Sequence, residues 1–235
     1  MTVAAAALAT TDKAFMLGRL ALVPDISGAL WLPEERTLVV ADLHLEKGSA
    51  YAARGVMLPP YDSSATLAAL GHAILRHQPA RVIALGDSFH DRQAEERLAP
   101  QTLAALHLLQ QGRDWLWITG NHDPSISHRV GGESAAEISL AGVTLRHEPD
   151  PAENGYEIAG HLHPAAKVRM RGRAVRRRCF ALSTRRCVMP AMGAYAGGLN
   201  LRDAAFRPLF GGRLSAHLIG DGRLFRIDPR LLLPD

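Results

Sequence analysis

The sequence predicts a layered α/β fold. Three short apolar runs each end abruptly in polar residues, a pattern typical of buried strands in an α/β sheet. Between these runs lie two segments that repeat leucine and isoleucine at helical spacing. Short strand-like segments joined by tight turns follow in the second half of the chain. Helices early and hairpins late together predict a layered α/β sandwich.

The three apolar runs and the two helical segments alternate along the first half of the chain. The predicted strands cover residues 37–40, 82–85 and 115–118, and the predicted helices cover residues 62–77 and 102–111. Asp62 or Ser63 is placed to cap the first helix, and Pro100 precedes the second. The predicted order is therefore β-α-β-α-β.

Beyond Asn121 the predicted elements are short strands. They cover residues 138–140, 143–146 and 156–159, with a turn between the first two. From Lys167 to Arg173 basic residues alternate with uncharged ones, which predicts a strand with one cationic face. Because no repeat or linker divides the chain, residues 1–235 are expected to form a single domain.

Composition and charge exclude several classes of protein. The chain has 235 residues, of which 47% are hydrophobic and 21% charged, so a disordered chain is excluded. No apolar run approaches the ~18 residues that a membrane-spanning helix requires, and the Ala-rich N-terminal stretch lacks the basic start of a secretion signal. Cys179 and Cys187 form neither a CxxC pair nor a disulfide framework. The expectation is a cytoplasmic protein with no membrane partner.

Polar residues directly after the predicted strand ends are of metal-ligating types. They are Asp42, His44, Asp87, Asn121, His122, His147, His161 and His163. Ligands gather outside the carboxyl ends of strands in open α/β sheets, so these side chains are expected to converge. Carboxylate and imidazole donors without thiolates favour manganese, iron, zinc or nickel over a structural zinc site. Two metal ions could share the set if one carboxylate bridges them.

Five blocks in this order resemble those of the binuclear metallophosphoesterases, the calcineurin-like phosphoesterase superfamily. The blocks are Asp42-x-His44, Gly86-Asp87, Gly120-Asn121-His122-Asp123, His147 and Gly160-His161-x-His163. The resemblance implies a four-layer α/β/β/α sandwich with two divalent metal ions at the strand ends.

The same resemblance implies a role for each site residue. Asp42, His44 and His163 would hold one metal ion. Asn121, His147 and His161 would hold the other, and Asp87 would bridge the two. His122 is assigned the catalytic role of stabilising the transition state or protonating the leaving oxygen. Family members commonly have the sequence GDxxDR in the second block, whereas this chain has His90-Asp91 at the last two positions.

Four longer stretches resemble the bacterial ligase-associated DNA damage response endonucleases. They are Ala41-Asp42-Leu43-His44-Leu45-Glu46-Lys47, Leu58-Pro59-Pro60, Gly86-Asp87-Ser88-Phe89-His90-Asp91 and Gly160-His161-Leu162-His163-Pro164. This resemblance implies hydrolysis of DNA by in-line attack of a metal-bridging hydroxide, with a preference for single strands. It also implies manganese as the metal, with zinc, iron or nickel as alternatives, and a functional association with an ATP-dependent DNA ligase, a helicase and an exonuclease.

Basic residues supply candidate contacts to a substrate. Ten basic residues and no acidic one lie between Lys167 and Arg202. These cations follow the last metal block and could track a phosphate backbone, but a strand with alternate arginines is also typical of a solvated face. The candidate substrate-binding residues are Arg169 and Arg171 in this stretch, Arg54, and the loop histidines His90 and His128. Phe89, Tyr51 and Tyr195 are candidates for stacking on bases.

Two other functions remain open on the sequence alone. The same metal centre could hydrolyse small nucleotides or phosphomonoesters, because the superfamily cleaves both diesters and monoesters. The chain could also be a non-catalytic, metal-stabilised module that binds nucleic acid. The presence of His122 argues against this second alternative.

Overall fold

The secondary structure contains many short strands and few helices. A computed structural model describes residues 8–9, 14–170, 172–212 and 214–235. In chain order the strands are β1 (Leu8–Ala9), β2 (Phe15–Leu17), β3 (Leu20–Pro24), β4 (Leu30–Leu32), β5 (Thr37–Val40), β6 (Arg81–Leu85), β7 (Asp114–Ile118), β8 (Glu133–Ala135), β9 (Glu137–Leu140), β10 (Val143–Arg146), β11 (Tyr156–Ala159), β12 (Pro164–Met170), β13 (Arg173–Leu182), β14 (Arg186–Val188), β15 (Leu199–Asn200), β16 (Ser215–Gly220) and β17 (Arg223–Ile227). The helices are α1 (Lys47–Ala52), α2 (Asp62–His77), α3 (Ala94–Arg97), α4 (Pro100–Gln110) and α5 (Arg207–Phe210).

The strands form two sheets. Within the described ranges, β2 to β8 form a seven-stranded sheet in sequence order, and the remaining strands form a ten-stranded sheet. β5, β6, β7 and β8 are parallel neighbours in the first sheet. In the second sheet β10, β11 and β14 are parallel neighbours. Since parallel strands end at the same edge, each sheet presents a row of carboxyl ends.

Alternation along the central strands builds two apolar layers. Val39 and Ile83 point into a core between the two sheets, which they share with Phe180 of the second sheet. Val40 and Val82 point the other way and pack beneath α2 and α4. Successive side chains of a strand face opposite sides, so continuous apolar strands are needed to bury both faces.

A thinner apolar layer covers the outer face of the second sheet. It joins Val168 of β12 and Cys179 of β13 to Phe206 and Phe210, which lie in the short segment around α5. The layers are therefore helices, sheet, sheet and a small outer cover, and the predicted α/β sandwich is confirmed. Both cysteines are buried free thiols. Among the helices of the described ranges, none has both the length and the apolar content needed to cross a bilayer.

The predicted N-terminal cap of α2 was wrong. Neither Asp62 nor Ser63 caps α2, because the capping position is Tyr61 and has no side-chain capping bond. Asp62 instead accepts a hydrogen bond from the Gly48 backbone, and Ser63 accepts one from the Glu46 backbone. These bonds fix the start of α1 to the start of α2.

The predicted cationic strand from Lys167 to Arg173 is a hairpin. β12 ends at Met170, Gly172 adopts a positive φ of 80°, and Arg173 begins β13. In the antiparallel register Lys167 lies opposite Arg176, whereas Arg173 lies opposite Met170 on the other face. The two-residue period therefore places Lys167 and Arg169 on one face but does not extend through Arg173.

Candidate metal centre

Residues that follow five strands meet at one edge of the two sheets. Asp42 and His44 follow β5, Asp87 follows β6, and Asn121 and His122 follow β7. From the second sheet, His147 follows β10, while His161 and His163 follow β11. Contacts of 3.0 to 3.4 Å connect the predicted ligands in two groups, so the structure brings together side chains that are distant in sequence.

The first group consists of Asp42, His44 and His163. Asp42 Oδ1 lies 3.2 Å from His163 Nε2, which lies 3.1 Å from His44 Nε2. The three candidate ligand atoms lie within 4.8 Å of one another. Asp42 is fully buried, and both of its carboxylate oxygens accept the His161 backbone N–H. The group thus offers a cation one carboxylate and two imidazoles in a fixed arrangement.

The second group is built around His147. Its Nε2 lies 3.4 Å from Asp87 Oδ1, 3.2 Å from His161 Nδ1 and 3.0 Å from Asn121 Oδ1. Its Nδ1 lies 2.9 Å from the Leu85 carbonyl oxygen. A carbonyl only accepts, so Nδ1 donates the proton and Nε2 is directed at Asp87. This backbone contact orients the His147 ring as metal ligation requires.

Burial and neighbouring charges set the ionisation of the cluster. Burial and the neighbouring His163 lower the pKa of His44 to about 3, so this imidazole is neutral. Burial raises the pKa of Asp87, but a hydrogen bond and the charge of His147 outweigh it and lower the value to about 2. A charged carboxylate and a neutral imidazole are the forms that bind metal.

His147 has the opposite shift. Burial lowers its pKa, but the hydrogen bond to Asp87 and the charge of Asp42 outweigh burial and raise it to about 9. A cation bound in the group would replace this proton, because ligation requires the neutral imidazole. Two carboxylates, four imidazoles and one amide oxygen, without a thiolate, therefore fit a site for divalent metal ions.

Five of the predicted ligands have a left-handed backbone. Their φ values are 53° for Asp42, 44° for His44, 46° for Asp87, 67° for His161 and 44° for His163. Such conformations cost a non-glycine residue on the order of 1 kcal/mol or more and persist where the surroundings hold them. Here hydrogen bonds join the loops, among them His44 N–H to the Asp87 carbonyl at 2.9 Å and Leu45 N–H to the Ser88 carbonyl at 2.9 Å. The fold thus holds the ligands in strained but defined positions.

Glycines in three of the blocks make room for the ligands. A Cβ at Gly86 would lie 2.5 Å from the His147 ring, and one at Gly120 would lie 2.3 Å from Asp87 Oδ1. A Cβ at Gly160 would lie 2.6 Å from Asp42 Oδ2. No side chain fits at these distances, so the glycines allow the close approach of the loops.

His122 lies at the open side of the cluster. Its backbone N–H donates to Asp87 Oδ1 at 2.9 Å, and its Nδ1–H donates to the His90 carbonyl. Its Nε2 lies 3.9 Å from Asp87 Oδ2, and 38% of the side chain is exposed. The ring is therefore oriented beside the predicted metal ligands with Nε2 available to a substrate.

His90 also belongs to the cluster. Candidate ligand atoms of His44, His90 and His122 lie within 4.8 Å of one another. Burial lowers the pKa of His90, and the nearby charges of Lys47 and His122 lower it further. The structure thus places His90 beside the predicted catalytic His122, where it is able to contact a substrate.

The other candidate substrate contacts lie at different distances from the cluster. Arg54 is exposed just after α1, and its charge is close enough to lower the pKa of His90. Arg169 is exposed on β12, and Arg171 lies outside the described residues. His128 begins an exposed 3-10 turn that hydrogen bonds tie to Glu95, and no contact in the described ranges connects it to the cluster.

The candidate aromatic contacts differ in their exposure. Phe89 is completely buried and packs against Trp117, so it is unable to stack on a base. Tyr51 is half-buried with its ring centroid 6.0 Å from that of His90. Tyr195 is half-buried and donates its hydroxyl hydrogen to the Pro59 carbonyl at 2.8 Å. Only the two tyrosines therefore remain as stacking candidates.

Asp123 has a structural role that the sequence motif did not reveal. Its carboxylate is buried and accepts backbone N–H groups from Asp87 at 3.0 Å, Gly120 at 2.9 Å, Ser88 at 2.7 Å and Phe89 at 3.1 Å. Burial, together with the charge of Asp87, raises its pKa to about 6 despite these bonds. The carboxylate therefore connects the Asp87 loop to the Asn121 loop.

Replacing Asp123 by asparagine is expected to destabilise the fold by roughly 2–4 kcal/mol. The amide keeps the shape but presents an NH₂ group to backbone donors, which leaves buried N–H groups unsatisfied. Urea unfolding of the metal-free protein measures the change. Asp114→Asn is the matched control, because the Asp114 side chain is 74% exposed at the start of β7. Equal stabilities of the two variants would contradict the assigned role of Asp123.

Comparisons with known proteins identify the family of the chain. A family model described as calcineurin-like phosphoesterase matches residues 35–168, which include every predicted ligand and more than half of the chain. No curated protein matches the sequence. The chain is similar to the crystal structure of Pseudomonas putida nuclease MPE, with 28% identity, a TM-score of 0.72, and coverage of 92% of this chain and 100% of that one.

A second solved structure is less similar. It is a protein of unknown function, AQ665 from Aquifex aeolicus, with 17% identity, a TM-score of 0.37, and coverage of 54% of this chain and 78% of that one. The family match spans the strands and all five blocks that form the cluster. The chain belongs to the calcineurin-like phosphoesterase family.

Proposed function

We propose that this metal-dependent phosphoesterase hydrolyses phosphodiester bonds of DNA as an endonuclease in bacterial DNA repair. The observation that carries the proposal is the convergence of Asp42, His44, Asp87, Asn121, His147, His161 and His163 beside an open, oriented His122. The similarity to a Pseudomonas putida nuclease supports a nucleic acid as the substrate. The subfamily resemblance supports the repair role and the functional association with a ligase, a helicase and an exonuclease.

The two groups of the cluster would each hold one divalent ion. Asp42, His44 and His163 form the first site, Asn121, His147 and His161 form the second, and Asp87 lies where it can serve both. Bound ions supply the charge that neutralises a phosphate and the Lewis acidity that activates water. Manganese is the proposed metal, with zinc, iron or nickel as alternatives that suit the same donors.

His122 is the side chain that would donate a proton during hydrolysis. The His90 carbonyl holds Nδ1–H, so the ring presents Nε2 to a phosphate at the open side. From there a protonated Nε2 donates a hydrogen bond to a phosphate oxygen or a proton to the leaving sugar oxygen. Phosphoryl transfer depends mainly on positioning and charge, and both functions require the fixed ring.

Basic residues beside the cluster favour a polyanionic substrate. On the hairpin of β12 and β13, Lys167 and Arg176 are cross-strand partners, and Arg178 lies opposite Ala165 on the same face. This face lies next to the predicted ligand His163, because β12 starts at Pro164. Cations in such a row bind a phosphate backbone with little sequence preference.

A cleavage assay tests the proposal. The purified protein is given circular single-stranded DNA, nicked and intact duplex DNA, and small phosphomonoesters, with manganese, zinc, iron or nickel in turn. We expect linear fragments from the circular single strand with manganese, and no cleavage with excess EDTA. Hydrolysis of small esters with all DNA left intact would instead support the small-substrate phosphatase. Metal-dependent DNA binding without any hydrolysis would support the non-catalytic module.

A further inference from the structure

We propose that Arg178 and the cavity beside His163 bind a phosphate that flanks the scissile bond of the nucleic acid. The inference rests on the proposed nucleic-acid substrate and adds a specific contact to it. It assigns to Arg178 the selection of a polynucleotide over a small diester.

The cavity lies directly beside the metal cluster. Its volume is about 340 Å³, and it lies between α2 and the loop of residues 191–197. Small residues such as Ala65 and Gly193 line most of the cavity. The side chains of His163 and Arg178 provide its imidazole and guanidinium nitrogens. A strand whose scissile phosphate lies at the cluster can therefore place its next phosphate in this cavity without displacing a bulky side chain.

Among the described arginines between residues 167 and 202, Arg178 is the one that is partly buried and forms no ion pair, whereas unpaired neighbours such as Arg177 are exposed. Its guanidinium makes one protein hydrogen bond, from Nη1 to the Ala191 carbonyl at 3.2 Å, and no carboxylate forms an ion pair with it in the described ranges. By contrast, Arg176 pairs with Asp235, and Arg186 pairs with Glu157. Burial lowers the pKa of Arg178 with no acidic group acting against this effect.

A phosphate supplies what this guanidinium lacks. A partly buried cation without a counterion is costly, and a phosphate oxygen offers both the negative charge and acceptors for the remaining N–H groups. The planar guanidinium suits two-point binding of phosphate better than an ammonium does. Arg178 lies opposite Ala165 in the hairpin, and Ala165 follows the predicted ligand His163 by two residues. The backbone of Arg178 is therefore close to the metal cluster.

Single-stranded oligonucleotides with one neutral methylphosphonate linkage test the contact. In the manganese-loaded wild type, we expect cleavage at one bond next to the neutral linkage to fall about 10-fold to 100-fold relative to the unmodified strand. In Arg178→Ala this local effect should disappear, while cleavage of the unmodified strand falls by a similar factor, mainly through KM. Hydrolysis of bis(p-nitrophenyl) phosphate, which has no flanking phosphate, should fall much less than cleavage of the unmodified strand.

Two further variants separate the contact from general effects. Arg177→Ala removes the neighbouring charge from the opposite face of β13 and should keep the local methylphosphonate effect. Arg178→Lys keeps the charge without the planar donors and should retain only part of the local methylphosphonate effect. If Arg178→Ala fails to fold, this partial loss in Arg178→Lys tests the contact instead.

The outcomes distinguish this inference from the proposed function. If the wild type cleaves oligonucleotides but shows no local effect, or if Arg178→Ala keeps the effect, the Arg178 inference is overturned and the nuclease proposal stands. If the wild type hydrolyses bis(p-nitrophenyl) phosphate but no oligonucleotide, the proposed DNA substrate is wrong, and the inference falls with it.

Discussion

Replacing Asp87 by alanine is expected to abolish tight binding of the metal pair and to lower phosphodiesterase activity by about 10³-fold or more. Asp87 Oδ1 lies 3.4 Å from His147 Nε2 in the second group, and the charge of Asp87 also acts on His44 in the first. Its removal therefore weakens both metal sites at once.

Two measurements together check the Asp87 prediction. Elemental analysis after manganese loading gives the metal content, and hydrolysis of bis(p-nitrophenyl) phosphate gives the activity. Asp91→Ala is the control, because Asp91 lies in the same loop but pairs with Arg97. We expect the control to bind metal as the wild type does. Full metal content and wild-type turnover in Asp87→Ala would contradict the bridging assignment.

Replacing His122 by alanine is expected to lower kcat for DNA by about 10² to 10³-fold while leaving the metal content unchanged. The Nδ1 of His122 is used by the His90 carbonyl, and its Nε2 lies 3.9 Å from Asp87 Oδ2 on the open side. The ring thus lies beside the two groups rather than within them. Its loss should remove proton donation but not metal ligation.

The leaving group gives a sharper test of His122. A p-nitrophenolate leaves without protonation more easily than a sugar alkoxide, so His122→Ala should lose less activity on bis(p-nitrophenyl) phosphate than on DNA. His72→Ala is the control, since His72 is exposed on α2. Equal losses on both substrates, or loss of metal from His122→Ala, would show that His122 does not protonate the leaving oxygen.

The sequence was sufficient to predict the strand ends and the convergence of the predicted ligands. The runs that became β5, β6 and β7 are continuously apolar because both faces of the sheet are buried, and polar residues begin where the strands end. Parallel pairing then places Asp42, Asp87 and Asn121 at one edge. Both steps depend on local patterns that are visible in one sequence.

Other features depend on contacts that a single sequence does not display. Asp123 was visible as part of a motif, but its four backbone donors come from two different loops that meet only in the folded chain. The basic stretch was equally visible. Which of its arginines form an ion pair, and which are buried, depends on distant residues such as Asp235 beside Arg176. The alternation of basic and uncharged residues also hid the turn at Gly172, because it continues in the sequence although Arg173 lies on the other face of the hairpin.

The position of the metal ions tests the central claim most directly. Crystals of the manganese-loaded protein, measured at the manganese absorption edge, would locate the ions by anomalous scattering. We predict two peaks about 3.5–4 Å apart, with Asp87 touching both, Asp42, His44 and His163 around one, and Asn121, His147 and His161 around the other. A single peak, or peaks away from these side chains in fully loaded protein, would contradict the account.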